Sequence, residues 1–316
     1  MFIWTAIAIL AVLIALQFDP KRIKRRIRAY KYSRKGVIFI DPSKVYIAKN
    51  VEIGAGTTIY PNVYLYEGTT IGKNCTIWPN VNLSNVRIGN HSVIWSGANL
   101  FDSMIGDHCV IWPNVSTYKA RIRSYVTIHS HNRIVNATIK SGGKGKRTVI
   151  ESYSLPTDSI IEGRAKVGPF AYVRDGSYIG AESEVANIEI VRSRLQSNVK
   201  AKHGRYIGDA RIGKGCNIGA GTVFCNYDGM EKHVTILEDD VFVGSGTMLV
   251  APLTLGEESI TGAGSVVSRD VPPNTLAIER GQPHTHHEWQ GKIQKGGGAV
   301  HKAGRTQKTK KGWSYK

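Results

Sequence analysis

The chain has 316 residues, enough for one large domain or two ordinary ones. Its 42 Lys and Arg residues outnumber 24 Asp and Glu residues, giving a formal net charge of +18. Most of the excess lies in residues 21–35, with nine basic residues, and in residues 291–316, with eight; neither segment contains an acid. The rest of the chain is near neutral. Basic tails without a recognition motif argue against nucleic acid as a partner.

The four cysteines, Cys75, Cys109, Cys216 and Cys225, form no Cys-x-x-Cys pair. This spacing predicts reduced thiols, with neither a disulfide framework nor a zinc site. We therefore expect no metal.

Residues 1–18 contain no charge and, as a helix, would span about 27 Å, just enough for a bilayer core. No Lys or Arg precedes this apolar run and no small-x-small cleavage site follows it, which favours a transmembrane anchor over a cleaved signal sequence. The basic residues that follow predict that the remaining chain is cytoplasmic. We expect a transmembrane helix over 1–18, a basic juxtamembrane linker over 19–36, and membrane attachment through residues 1–35. No core hexapeptide precedes Val37, so residues 1–35 are expected to be dispensable for the fold.

Aliphatic residues recur at six-residue steps, a spacing that matches neither a helix nor a hairpin. The first such series comprises Ile47, Ile53, Ile59, Leu65, Ile71, Ile77 and Leu83. A fixed period of six is typical of a parallel β-helix, in which three hexapeptides make one coil. The period weakens between about residues 116 and 166, where residues 141–147 indicate a protruding basic loop. It predicts N-terminal coils over 37–166, a second set over 167–280, and a basic arm over 281–316.

One aromatic residue recurs at the same point of four successive coils: Tyr60, Trp78, Trp95 and Trp112. Repetition in every coil favours a structural ladder that covers a face or fills an interface. A stacking platform for sugar rings and a membrane-facing strip are the alternatives.

The second set of coils contains a polar insertion, Asn-Tyr-Asp-Gly at 226–229, that breaks the repeat after Asn217-Ile-Gly-Ala-Gly. A histidine, His203, precedes it at the edge of the repeat. A regular scaffold that is broken beside a histidine is a good place to look for chemistry. On spacing alone, a single histidine in a turn is more often merely solvated.

From Val167 to Trp289 these motifs resemble the acetyltransferase half of the bifunctional bacterial enzymes that make UDP-N-acetylglucosamine. The specific feature is His-x-x-Tyr-x-Gly-Asp followed by Asn-Tyr-Asp-Gly; a single Ile-Gly hexapeptide occurs in many acyltransferases. The resemblance implies an all-β fold, a left-handed parallel β-helix of hexapeptide repeats, here with an N-terminal transmembrane helix. It also implies a homotrimer that transfers the acetyl group of acetyl-CoA to glucosamine-1-phosphate.

The resemblance assigns roles to individual residues. His203 would be the general base, because an imidazole near neutral pKa can take the proton of an attacking amine. Asn226 would position the histidine and the sugar. The sugar phosphate and ring would be held by Arg174, Tyr206, Asn217 and Lys232. Arg192 or Arg194 would replace a Lys of the family. The acetyl-CoA site would be lined by Ala220, Tyr227, Ser245, Ala263, Arg280 and Trp289, the last on an arm that crosses to a neighbouring subunit.

Three alternatives remain. The chain shows no motif of the family's nucleotidyltransferase domain, so uridylyl transfer is not expected. The acceptor could be a nucleotide-linked amino sugar for a surface glycan. The chain could also be a non-catalytic, membrane-tethered β-helix scaffold. A zinc carbonic anhydrase of the β-helix type is disfavoured, because no two of His91, His108, His129 and His131 are five residues apart.

Overall fold

The structure is a computed structural model that describes residues 20–279, with side chains from residue 27 onward. The transmembrane part of the predicted fold class is wrong: over residues 20–279, no helix is long and apolar enough to cross a bilayer. The one α-helix there, α1 (Pro20–Ser33), has 14 residues and is rich in Lys and Arg. Residues 1–18, to which the spanning helix was assigned, lie outside the described residues. The predicted cytoplasmic location of the catalytic coils is untested and stays a prediction.

The chain from Ile38 onward is a parallel β-helix, which confirms the fold predicted from the six-residue period. Each complete coil contributes one short strand to each of three faces, and the C-terminal coils are incomplete. Face 1 is a 14-stranded parallel sheet, made of β1 (Ile38–Phe39), β4 (Thr58–Ile59), β7 (Thr76–Ile77), β10 (Val93–Ile94), β13 (Val110–Ile111), β16 (Val126–Ile128), β19 (Thr148–Ile150), β22 (Lys166–Val167), β25 (Glu184–Val185), β28 (Lys200–Ala201), β31 (Asn217–Ile218), β34 (Phe242–Val243), β37 (Ile260–Thr261) and β39 (Leu276–Ala277).

Face 2 consists of two sheets, joined by a parallel bridge between Val135 and Thr157. Its strands are β2 (Tyr46–Ile47), β5 (Tyr64–Leu65), β8 (Asn82–Ser84), β11 (Asn99–Phe101), β14 (Ser116–Tyr118) and β17 (Arg133–Val135), then β20 (Leu155–Pro156), β23 (Ala171–Arg174), β26 (Ile188–Val191), β29 (Tyr206–Gly208), β32 (Val223–Cys225), β35 (Met248–Val250) and β38 (Val266–Val267).

Face 3 is a 12-stranded sheet that follows face 2 in every complete coil. Its strands are β3 (Glu52–Ile53), β6 (Thr70–Ile71), β9 (Arg87–Ile88), β12 (Met104–Ile105), β15 (Arg121–Ile122), β18 (Thr138–Ile139), β21 (Ile160–Ile161), β24 (Tyr178–Ile179), β27 (Arg194–Leu195), β30 (Ala210–Ile212), β33 (Thr235–Leu237) and β36 (Leu253–Leu255). A short 3-10 helix, Pro42–Lys44, precedes β2.

The coils turn at three corners, which we name 1–2, 2–3 and 3–1 after the faces that they join. Many corner residues have positive φ, among them Asn80 at 60° and Asp209 at 50°. Asn and Asp tolerate this conformation better than other non-glycine residues, which explains their frequency there. The aliphatic residues that set the period, such as Ile59 and Ile77, point inward and are fully buried.

The β-helix continues without a break through residues 116–166, where the period weakens. β22 pairs with β19 on one side and with β25 on the other. The hydrophobic period is masked because buried polar residues take inward positions; the amide of Asn132 donates to His129 O at 2.7 Å, and its Oδ1 accepts from Ser154 N at 2.6 Å. The basic loop predicted over 141–147 lies between β18 and β19.

Helix α1 covers the N-terminal end of the β-helix. Ala29 is buried, Tyr32 donates its hydroxyl hydrogen to Val51 O at 2.6 Å, and Arg28 donates to Ile47 O. The stretch assigned to a linker thus packs on the first coil. The expectation that residues 1–35 are dispensable for the fold stays a prediction.

The aromatic column at corner 1–2 is a continuous stack. The ring centroids of Tyr60 and Trp78 are 4.5 Å apart, those of Trp78 and Trp95 4.6 Å, and those of Trp95 and Trp112 5.8 Å. The planes of Trp112 and His129 continue it within 8°. Because the rings cover one another, the inner members offer edges rather than faces, which favours the structural ladder over a platform for sugar rings.

Candidate functional site

His203 lies at corner 1–2, in the turn between β28 and β29. The residues at the same point of the next three coils are Ala220, Ser245 and Ala263. Hydrogen bonds show this stacking: Gly221 N donates to His203 O at 2.7 Å, Gly246 N to Ala220 O at 2.7 Å, and Gly264 N to Ser245 O at 2.8 Å. The predicted base and three of the predicted acetyl-CoA residues therefore form one column.

The corner beside this column is open. Gly221, Gly246 and Gly264 all have φ between 69° and 74°. A Cβ added to Gly264 would meet nothing within 4 Å, and one added to Gly221 or Gly246 would meet only the next glycine at 3.9 Å. The result is an edge with exposed backbone and small side chains, along which an extended ligand can lie against the coils.

The turn that carries His203 packs on the preceding coil. Gly204 packs so closely on Ile188 that an added Cβ would lie 2.4 Å from its Cδ1. Lys202 forms an ion pair with Glu184, one coil earlier. The His203 side chain is exposed, and its ring makes no hydrogen bond with any residue of the described range. It is therefore accessible to a ligand.

Face 2 presents Arg174, Glu189 and Tyr206 on neighbouring strands. Glu189 lies opposite Tyr206 in the β26–β29 register. Arg174 donates to Glu189 Oε1 from Nε at 2.9 Å and from one terminal nitrogen at 2.7 Å, and its other terminal nitrogen lies 2.6 Å from Asp175. The guanidinium is thus fixed in position, with its charge offset by two carboxylates.

Corner 2–3 carries a second charged cluster one coil further on. Arg192 donates to both carboxylate oxygens of Asp209, at 2.7 and 2.8 Å, and lies 3.6 Å from Asp175. Asn226 donates its amide hydrogens to Asp209 and, at 3.4 Å, to the Tyr206 hydroxyl. The hydrogen bond from Arg192, and then that from Asn226, hold the pKa of Asp209 below its usual value, although burial opposes them. Ionised Asp209 thus links two predicted site residues, Arg192 and Asn226, through hydrogen bonds.

The polar insertion is an ordered hairpin that begins at Asn226. His233 N donates to Asn226 O at 2.8 Å, and Tyr227 bridges antiparallel to Lys232. Asp228 accepts from two backbone amides of the turn at 2.8 Å and from His233 at 2.7 Å. Its pKa is lowered, first by the backbone amide of Glu231. The bridge places Lys232 opposite Tyr227 in the hairpin, and its positive charge also lowers the pKa of Asp209.

Within one chain the predicted site residues fall into two groups. Arg174, Arg192, Tyr206, Asn226 and Lys232 gather on face 2 and corner 2–3. His203 belongs to corner 1–2, at the other end of the same strands. Gly221, which lies beside His203, is separated from Asn226 by the length of β32 and its flanking residues. These five residues span roughly 17 Å when extended.

The remaining predicted residues lie elsewhere. Asn217 is on face 1, paired with Lys200. Tyr227 is exposed and donates to Gly229 O at 2.7 Å. Arg280 and Trp289 lie outside the described residues.

Sequence reasoning missed three acids: Asp175, Glu189 and Asp209. The signal was present for two of them, because Asp175, Arg192 and Asp209 are spaced by 17 residues, one coil length, which places them on successive rungs of one corner.

Two family models match the chain. The bacterial transferase hexapeptide (six repeats) matches residues 50–85 and 68–101, and the hexapeptide repeat of succinyl-transferase matches residues 234–269. Together with the β-helix and the open corner at His203, these matches define the class: the chain is a hexapeptide-repeat acyltransferase.

The curated relatives narrow this class. The bifunctional protein GlmU of Syntrophomonas wolfei is 51% identical over 142 residues, 44% of this chain and 31% of that protein. GlmU of Alkaliphilus metalliredigens is 33% identical over 272 residues, 86% of this chain and 47% of that protein. The chain is homologous to the acetyltransferase part of the GlmU family, and it spans less than half the length of these relatives.

A solved structure, the UDP-N-acetylglucosamine acyltransferase of Francisella novicida, is 14% identical over 75% of this chain and 65% of that chain. Its TM-score of 0.28 is too low to support a conclusion about fold or function.

Proposed function

We propose that this chain transfers the acetyl group of acetyl-CoA to the amine of an amino-sugar phosphate, with glucosamine-1-phosphate as the preferred acceptor. The observation that carries the proposal is the open corner that begins at His203 and continues through Ala220, Ser245 and Ala263. It offers room for an extended acyl donor that ends beside a histidine.

In the proposed reaction, the neutral amine attacks the thioester carbon. A carbon–nitrogen bond forms, the carbon–sulfur bond breaks, and the amine proton passes to the His203 imidazole. The CoA thiolate leaves and is protonated, so the products are an N-acetyl amino sugar and CoA. The N–H of Ala220 donates to no residue within 20–279, so it is suited to stabilise the oxygen that becomes negative.

The acceptor phosphate requires cations, and Arg174 and Arg192 are the best placed in this part of the chain. Both already bind carboxylates. A phosphate must therefore share a guanidinium with Glu189 or Asp209, or bind Lys232 of the hairpin. Arginine suits this sharing because its five donors can serve two anions at once.

We further propose that the working form is a homotrimer in which corner 1–2 of one subunit faces corner 2–3 of its neighbour. This arrangement would bring His203 close to an Asn226 that lies too far away within its own chain. Cyclic symmetry would give three equivalent sites.

A direct test is an acetyl-CoA consumption assay on the full chain with glucosamine-1-phosphate, other amino-sugar phosphates and nucleotide-linked amino sugars. Turnover with a free sugar phosphate supports the proposal. Turnover only with nucleotide-linked sugars favours the alternative acceptor. Failure to turn over any of them, together with failure to bind CoA in calorimetry, would favour a silent scaffold.

A further inference from the structure

Asp209 is the point at which the charged cluster meets the inserted hairpin. Its side chain is 14% exposed and binds Arg192 through both oxygens. The same carboxylate accepts a hydrogen bond from Asn226, which is 6% exposed and begins the hairpin. Neither residue can turn without breaking a contact of the other.

The chemistry of this contact fixes the orientation of the Asn226 amide. An ionised carboxylate can only accept hydrogen bonds, so the atom of Asn226 that faces Asp209 is the amide nitrogen. The Tyr206 hydroxyl lies on the same nitrogen at 3.4 Å. The amide oxygen, Oδ1, therefore points the other way.

Oδ1 of Asn226 has no donor within residues 20–279. It is also absent from the fully buried, unpartnered side-chain atoms of that range, which are Arg147 Nε, Ser159 Oγ, Thr235 Oγ1 and Ser259 Oγ. The oxygen is therefore not fully buried, and it is an acceptor without a donor among the described residues.

We propose that Asp209 is a positioning residue that holds the Asn226 amide with Oδ1 turned to the site, so that Asn226 accepts a hydrogen bond from the amine or a hydroxyl of the acceptor sugar. This inference rests on the proposed function. Asn226 then orients the acceptor and does not donate to the thioester oxygen, because both its hydrogens serve Asp209 and Tyr206.

An exchange of the two side chains separates an acceptor role from a donor role. Asn226→Asp alone places two carboxylates together and should lower kcat/KM for the acceptor at least 100-fold. Asp209→Asn alone keeps an amide contact and tolerates the positive φ of this corner, so a loss of about tenfold or less is expected. In Asn226→Asp/Asp209→Asn, the amide at 209 donates to the carboxylate at 226, whose second oxygen can again accept from the sugar.

The double variant should therefore regain at least tenfold in kcat/KM over Asn226→Asp, mainly through KM for the acceptor. KM for acetyl-CoA should stay within twofold in all variants. The same corner offers a matched control, the Asn136–Asp158 pair, whose amide–carboxylate contact is 2.6 Å and lies outside the site. Exchange of that pair should leave both KM values unchanged.

Two failures are distinguishable. Suppose that the wild type is active and that the double variant is folded, as judged by its melting temperature, but recovers no activity. This result overturns the role of Asp209 and Asn226 and leaves the proposed function intact. A wild type that transfers no acetyl group overturns the proposed function and this inference with it.

Discussion

His203 could be selected from the sequence only through the motifs around it, since its spacing alone fits a solvated turn. Its position at an open corner, with an exposed ring, makes it available for chemistry. His203→Ala should leave the melting temperature unchanged and lower kcat about 10²- to 10⁴-fold, the usual contribution of a general base. His91→Ala, at a stacked histidine on corner 3–1, is the control and should keep full turnover. A loss below about threefold for His203→Ala would remove this residue from the mechanism.

Asp209 is also expected to contribute to the stability of the fold. Its pKa is lowered in the folded chain. A carboxyl group whose folded pKa is depressed stabilises the fold above its unfolded pKa of about 3.9, and this contribution is lost as the pH falls through the lower folded value. Because Arg192 is 35% exposed, solvent screens the pair, and we expect about 1 kcal/mol at pH 7.

Urea unfolding of the wild type and Asp209→Asn at pH 7 and pH 3 would measure this contribution. The difference in unfolding free energy between them should shrink at pH 3. An equal difference at both pH values would mean that the carboxylate charge does not stabilise the fold.

Among the elements, the aromatic column at corner 1–2 tests whether a regular pattern is structural. Trp95 stacks on Trp78 and Trp112, and each such pair contributes about 0.5–1.5 kcal/mol. Trp95→Ala should therefore destabilise the chain by about 1–3 kcal/mol without changing KM for the acceptor. Phe101→Ala, at a 40% exposed aromatic residue on face 2, should cost less. A rise in KM with little loss of stability would revive the sugar-platform interpretation.

The strands illustrate what the sequence could predict. Inward aliphatic residues recur every six positions because each coil consists of three hexapeptides, one for each face. Ile59 and Ile77, at the same point of successive coils, therefore predict the fold directly. Around Asn132 the same inward position holds a polar residue with its own hydrogen bonds, and the hydrophobic period fails although the strands continue. The hairpin at Asn226 was visible as an insertion, but its contact with Asp209 depends on which corner residues stack. The spanning helix is predicted from the length, hydropathy and flanking charges of residues 1–18, which lie outside the described residues; within residues 20–279 no helix is long and apolar enough to cross a bilayer.

For the whole molecule, the separation of His203 from Asn226 leads to a mixing experiment. If each site takes its histidine from one subunit and its asparagine from the next, His203→Ala and Asn226→Ala chains can complement each other. Refolding equal amounts of the two inactive variants together should restore roughly one quarter of the wild-type sites, from random assembly. Each variant refolded alone should stay inactive. A mixture that also stays inactive, although the two chains co-assemble, would place both residues of a site in one subunit.

Helix α1 has a consequence for the solubility of the protein. The first coil of a β-helix ends in backbone groups that can pair with another strand, and such edges are templates for aggregation. Ala29 and Tyr32 of α1 cover this end, so the helix prevents another chain from pairing with the first coil. A chain that starts at residue 36 should associate end to end, visible as light scattering that rises with concentration, whereas a chain that starts at residue 20 and keeps α1 should not. Equal scattering from both would mean that the end of the stack protects itself.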